Sequence, residues 1–152
     1  MIPGIERDAR QGKQPSPALD PGVILVIDES LPIRTKLTEI LHKLGTSSGR
    51  IVQATSESEA IAAFREHRPR VVFTELVGVH PEDGLEIIHA MLEIDPNTRV
   101  VLVSAEPRDS AEIRAALRAG VFSYVEKPLR YEKIRAVLAE LEAEEGGIER
   151  FR

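Results

Sequence analysis

With 152 residues, a net charge of −5 and only 4% aromatic residues, the chain has the length of one domain. It lacks both the cationic excess from which nucleic-acid binders draw affinity and the rings on which single strands stack. Cysteine is absent, which excludes disulfides, thiolate nucleophiles and zinc-thiolate sites, and no apolar run approaches the roughly 20 residues of a membrane-spanning helix. The expectation is a cytoplasmic protein without membrane insertion or direct nucleic-acid contact, whose partners are proteins.

Residues 1–21 are rich in proline and glycine and poor in apolar side chains, so they cannot offset their own ordering entropy and are expected to form a flexible N-terminal arm. From Val23 an apolar run followed by a helical-period segment recurs five times, the pattern of βα units on a parallel sheet covered on both faces. Ile33, Leu37, Ile40, Leu41 and Leu44 make the first helical stripe, ended by Gly45. Ile61 and Phe64 follow a Ser56-x-x-Glu59 capping box. Asp83-Gly84 is the expected start of a third helix with Leu85, Ile88, Met91 and Leu92 inward, and Ile113, Ala116 and Leu117 mark a fourth ended by Gly120. The fifth carries Ile134, Val137, Leu138 and Leu141 and runs into an acidic end that opposes the helix dipole. The domain is therefore expected to span residues 22–145, with a C-terminal tail over 146–152.

Four strands end in polar groups. Val23–Ile27 leads into Asp28-Glu29, Val71–Thr74 into Glu75, Arg99–Val103 into Ser104, and Tyr124–Glu126 into Lys127-Pro128. Parallel strands open on one edge, so these groups are expected to converge where doubly wound sheets place their sites. Each residue also has an ordinary reading: Asp28 suits capping of the next helix, Lys127 a solvated turn, Ser104 a satisfied hydroxyl and Tyr124 a partly buried ring. His80, His42, His67 and His89 are expected at the surface.

From Val23 to about Glu145 the order of these motifs resembles the receiver domain of two-component response regulators. The resemblance implies a flavodoxin-like (βα)5 fold with strand order 2-1-3-4-5. It places Asp28 and Glu29 at the acidic pair that holds Mg²⁺, which takes hard oxygen ligands in an octahedron. Glu75 falls at the phospho-acceptor position, and with the pair forms an acidic pocket and a candidate metal set (Asp28, Glu29, Glu75). Ser104 and Tyr124 match the switch residues, and Lys127 matches the phosphate-pairing lysine ahead of a cis proline.

Two departures stand out. The acceptor of the family is Asp, and Glu75 moves the carboxyl out by one methylene, a displacement of about 1 Å that can cost about 10²-fold in an alignment-dependent reaction. The segment from Glu75 to Gly84 is also one residue longer than the family pattern and places Pro81 late. The reading is a non-enzymatic, stand-alone pseudo-receiver acting through contacts with a histidine kinase or a downstream signalling protein. The alternatives are a Mg²⁺-dependent switch still phosphorylated at Glu75 or Asp28, and a structural assembly partner. A phosphohydrolase of the Asp-x-Asp type is disfavoured, because Asp28-Glu29-Ser30 has no second Asp.

Overall fold

The computed structural model describes residues 22–76 and 80–150, without the side chains of Pro81 and of residues 145–150. The arm expected over residues 1–21, the loop residues 77–79 and residues 151–152 lie outside that description.

The five strands are β1 (Ile24–Ile27), β2 (Ile51–Ala54), β3 (Val71–Thr74), β4 (Arg99–Ser104) and β5 (Ser123–Glu126). All pair in parallel in the order β2-β1-β3-β4-β5, the flavodoxin-like arrangement. Each strand is followed by a helix: α1 (Leu31–Lys43), α2 (Glu57–His67), α3 (Pro81–Ile94), α4 (Ala111–Ala119) and α5 (Tyr131–Arg150), with a 3-10 turn at Ser48–Arg50 before β2. Residues 21–137 form one compact unit; the part of α5 from Leu138 onward falls outside it.

Buried strands with both faces covered read as continuous apolar runs, and β1, β3 and β4 do so here. On one face Leu25, Ile27, Val72, Val100 and Leu102 join Ala60 and Phe64 of α2, Ile87, Ile88 and Met91 of α3, and Ile113 and Ala116 of α4 in a single cluster. Leu37, Ile40 and Leu41 of α1, Ile134 and Val137 of α5, and the alternate strand residues Val26, Phe73, Val101 and Val103 are also buried but stand outside that cluster. The alternation places them on the opposite face of the sheet.

Three local expectations are corrected. Ser56 caps α2 by accepting the N–H of Glu59 at 3.3 Å, but Glu59 Oε1 accepts from the N–H and hydroxyl of Thr55 (2.8 and 2.7 Å) rather than from Ser56, so the box closes one residue early. Helix α3 starts at Pro81, not at Asp83-Gly84: Pro81 takes a first-turn position, where its missing N–H costs nothing, and Asp83 reaches back to accept the N–H of His80 at 3.1 Å. Helix α5 continues through Gly146 and Gly147 to Arg150. A glycine costs only about 1 kcal/mol against alanine in a helix interior, too little to stop a helix otherwise built from good formers.

Phe64 is fully buried within the shared cluster of α2, α3 and the sheet. Phe64→Ala is expected to lower stability by about 3–5 kcal/mol, read as a lower urea midpoint at unchanged slope. A loss below about 1 kcal/mol would show that α2 is not held by this contact.

Candidate functional site

Asp28, Glu75 and Lys127 each stand one residue beyond a strand, yet each is still held by the sheet. The N–H of Asp28 donates to the carbonyl of Ala54 at 3.2 Å, that of Glu75 to Ile27 at 3.0 Å, and that of Lys127 to Ser104 at 2.8 Å. The parallel ladder thus runs on to the functional residues and fixes their backbones at one edge.

The side chains then meet. Lys127 Nζ donates to Glu75 Oε2 at 3.1 Å and to Asp28 Oδ2 at 3.4 Å, so one ammonium bridges two carboxylates. Lys127 and Asp28 are largely withdrawn from solvent, with side-chain exposures of 17% and 7%, and Glu75 is 25% exposed. The remaining carboxylate oxygens are occupied by backbone donors: Asp28 Oδ1 accepts from Ser30 N–H at 2.8 Å, and Glu75 Oε1 accepts from Leu76 N–H at 3.0 Å. Glu75 therefore folds back on its own successor while its other oxygen reaches the lysine. Burial alone would push the Lys127 ammonium down, but the hydrogen bond and charge of Glu75, followed by those of Asp28, outweigh it and hold the group above its ordinary value.

Asp28 does not cap α1. Ser30 does, accepting the N–H of Ile33 at 3.3 Å, which leaves the Asp28 carboxylate for Lys127. Glu29 is exposed. Among the described residues no group of three His, Cys, Asp or Glu side chains converges as a metal site. Lys127 Nζ stands between the carboxylates of Asp28 and Glu75, the two members of the expected acidic set that it bridges. All four histidines are exposed.

Ser104 is buried at the end of β4, and its Oγ accepts the N–H of Glu106 at 3.1 Å. The Tyr124 hydroxyl donates to the carbonyl of the same Glu106, so that residue's backbone is held at both its N–H and its carbonyl. The Tyr124 ring is buried, with the Arg108 guanidinium 5.3 Å above its centroid. Burial, with the charge of Glu126 next, raises the phenol above its ordinary value. Lys127-Pro128 is a cis peptide bond, as the resemblance implied.

Two contributors were not foreseen. Arg34 of α1 donates through Nη1 to the Asp28 carbonyl at 2.7 Å and through Nε to Gln53 Oε1 at 3.0 Å, tying helix, β1 and β2 together beside the site. Lys133 of α5 donates to the carbonyls of Glu126 and Pro128 (2.8 and 3.3 Å), which bracket Lys127. Arg34 lies six positions after Asp28, and Lys133 six after Lys127. A basic residue in the first turns of the helix after a site-bearing strand was the only available signal.

The family model of the response regulator receiver domain matches residues 24–139, which takes in all five strands and the whole edge, and the chain belongs to that family. The chemotaxis protein CheY of Thermotoga maritima is 27% identical over 112 residues, 73% of this chain and 89% of CheY. The receiver domain of NtrX from Brucella abortus has a TM-score of 0.68 at 28% identity, covering 80% of this chain and 98% of that one. The CheX-CheY-BeF3-Mg+2 complex from Borrelia burgdorferi shares the fold, with a TM-score of 0.70 at 23% identity over 79% of this chain and 88% of that one. Receiver domains serve two-component signalling, and no described helix is long and apolar enough to cross a membrane.

The raised value of Lys127 has a definite sign. A lysine held above its unfolded value contributes stability that is fully present below that value and is lost as pH climbs through the folded one. The urea midpoint is expected to fall as pH rises above about 10.5. Lys127→Met should flatten part of that slope; the remainder belongs to Tyr124, which loses stability in the same direction. An identical slope in the Lys127→Met variant would show that the bridge adds nothing.

Proposed function

We propose that this chain is a pseudo-receiver of a two-component phosphorelay, working in the cytoplasm through protein contacts, with a histidine kinase or a downstream signalling protein as partner, and without conventional Asp phosphorylation. The observation that carries this reading is the double engagement of Glu75, whose two oxygens are taken by Leu76 N–H and Lys127 Nζ at 3.0 and 3.1 Å. A carboxylate that is to attack a phosphoryl donor needs a free oxygen in line with it, and reaction rates fall about 10²-fold for about 1 Å of misplacement. Here the added methylene is absorbed by folding back rather than by reaching outward.

The same arrangement gives the edge a standing negative charge beside Lys127. It imitates a phosphoryl group only in part, with one charge where phosphate brings nearly two. Phosphorylation at Asp28 is disfavoured on the same ground, since both its oxygens are engaged. In this reading Ser104 and Tyr124 are the switch pair and the surface beyond them is where a partner senses the state of Glu75.

With acetyl phosphate and Mg²⁺, intact mass is expected to show no phosphoryl gain on the parent chain and a partial gain on Glu75→Asp, which retracts the carboxyl toward the family position. Glu75→Gln should show no gain and weaker affinity for the partner that reads the resting state. A phosphoryl gain on the parent that Glu75→Gln abolishes would restore the ordinary switch. Two variants indistinguishable from the parent in both measurements would point to a structural assembly role.

A further inference from the structure

Gly84 lies in the first turn of α3, and an ideal Cβ built on it would stand 2.6 Å from Leu76 Cα, 2.9 Å from Leu76 Cβ and 3.0 Å from the Leu76 carbonyl carbon. Side-chain carbons essentially never come this close to other heavy atoms, and two of the three atoms met are backbone, so a rotamer change cannot relieve the contact. Only a hydrogen on the Gly84 α-carbon lets the helix lie against this stretch of chain. Leu76 is not an arbitrary neighbour: its N–H is the donor that holds Glu75 Oε1.

We infer that Gly84 is a positioning residue for Glu75, the helix turn serving as an abutment that keeps the Leu76 amide where it can fold the Glu75 carboxylate back toward Lys127. This rests on the pseudo-receiver reading and deepens it by naming what sets the reach of the substituted side chain. Which partner gives way to an added methyl follows from how each is anchored. Helix α3 is fixed by Ile87, Ile88 and Met91, all at 0–1% exposure in the core, whereas Leu76 packs against that core only half-buried and lies beyond the last paired residue of β3. The less deeply anchored partner moves, so the methyl displaces Leu76, its N–H leaves Oε1, and the hold of Glu75 on Lys127 loosens while the Asp28 contact stays. Gly49 supplies the control, since a Cβ built there meets nothing within 4 Å.

The test follows the ¹⁵Nζ resonance of Lys127 and the ¹³Cδ resonance of residue 75 by NMR on the unphosphorylated chain. Gly84→Ala is expected to move the Lys127 resonance toward its position in Glu75→Ala, and Gly49→Ala to leave it in place. In a Glu75→Ala background the addition of Gly84→Ala should move it no further, which a merely destabilising glycine replacement would not predict. A folded Gly84→Ala chain with the parent's Lys127 resonance overturns the proposal, as does a shift that persists undiminished without Glu75. Should Gly84→Ala not fold, hydrogen exchange at the Leu76 amide decides: faster exchange in Glu75→Ala than in the parent supports the route through Leu76, and equal exchange overturns it. These readouts involve no phosphoryl donor, so a phosphoryl gain on the parent would defeat the pseudo-receiver reading without touching them.

Discussion

Two carboxylates share one ammonium at the edge of this sheet, and the rest of the site is arranged around that sharing. Asp28 and Glu75 both lie within 3.4 Å of Lys127 Nζ. The lysine supplies the countercharge to both at an edge that is largely withdrawn from solvent. Each carboxylate keeps a charged partner and a backbone donor, and hydrogen bonds to charged groups are the strong ones. Lys133 clamps the carbonyls on either side of Lys127 and Arg34 holds the carbonyl of Asp28, so cations from two helices brace the backbone on which the triad stands.

The fold was legible because buried parallel strands write themselves as apolar runs and their ends as polar punctuation. Asp28, Glu75, Ser104 and Lys127 could be located from that alone, since the sheet carries every strand end to one edge. Direction of side chains was less legible. Asp28 and Glu29 are neighbours of the same charge, and only the turn made by Ser30 N–H on Asp28 Oδ1 decides that the first turns in while the second is exposed. Pro81 reads as a loop residue until His80 and Asp83 show it to be the opening of α3. Ile87, fully buried in α3, escaped the stripe because its neighbour Ile88 already satisfied the period. The approach of Gly84 to Leu76 leaves no trace in the chain beyond a glycine that any turn could have used.

The side chain of Glu75 bends back on its own backbone instead of extending outward. The side chain curls onto the amide of Leu76 and presents its second oxygen to the lysine from that bent posture. Thr74 secures the same residue from the other side, its hydroxyl donating to the Glu75 carbonyl at 2.7 Å. The residue is thus held by a donor before it, a donor after it and a cation across the edge.

The ladder bonds that extend one residue past β1, β3 and β5 have a thermodynamic corollary for recognition. Ala54, Ile27 and Ser104 offer the carbonyls that pin Asp28, Glu75 and Lys127, so the backbone beneath all three charges is as settled as the middle of the sheet. A molecule docking on this edge would meet a finished constellation and lose little conformational freedom in the chain it touches, sparing part of the entropy that association ordinarily forfeits. Selectivity would then fall on the less regular β4–α4 connection beside it, leaving the charged triad as a constant that different visitors share.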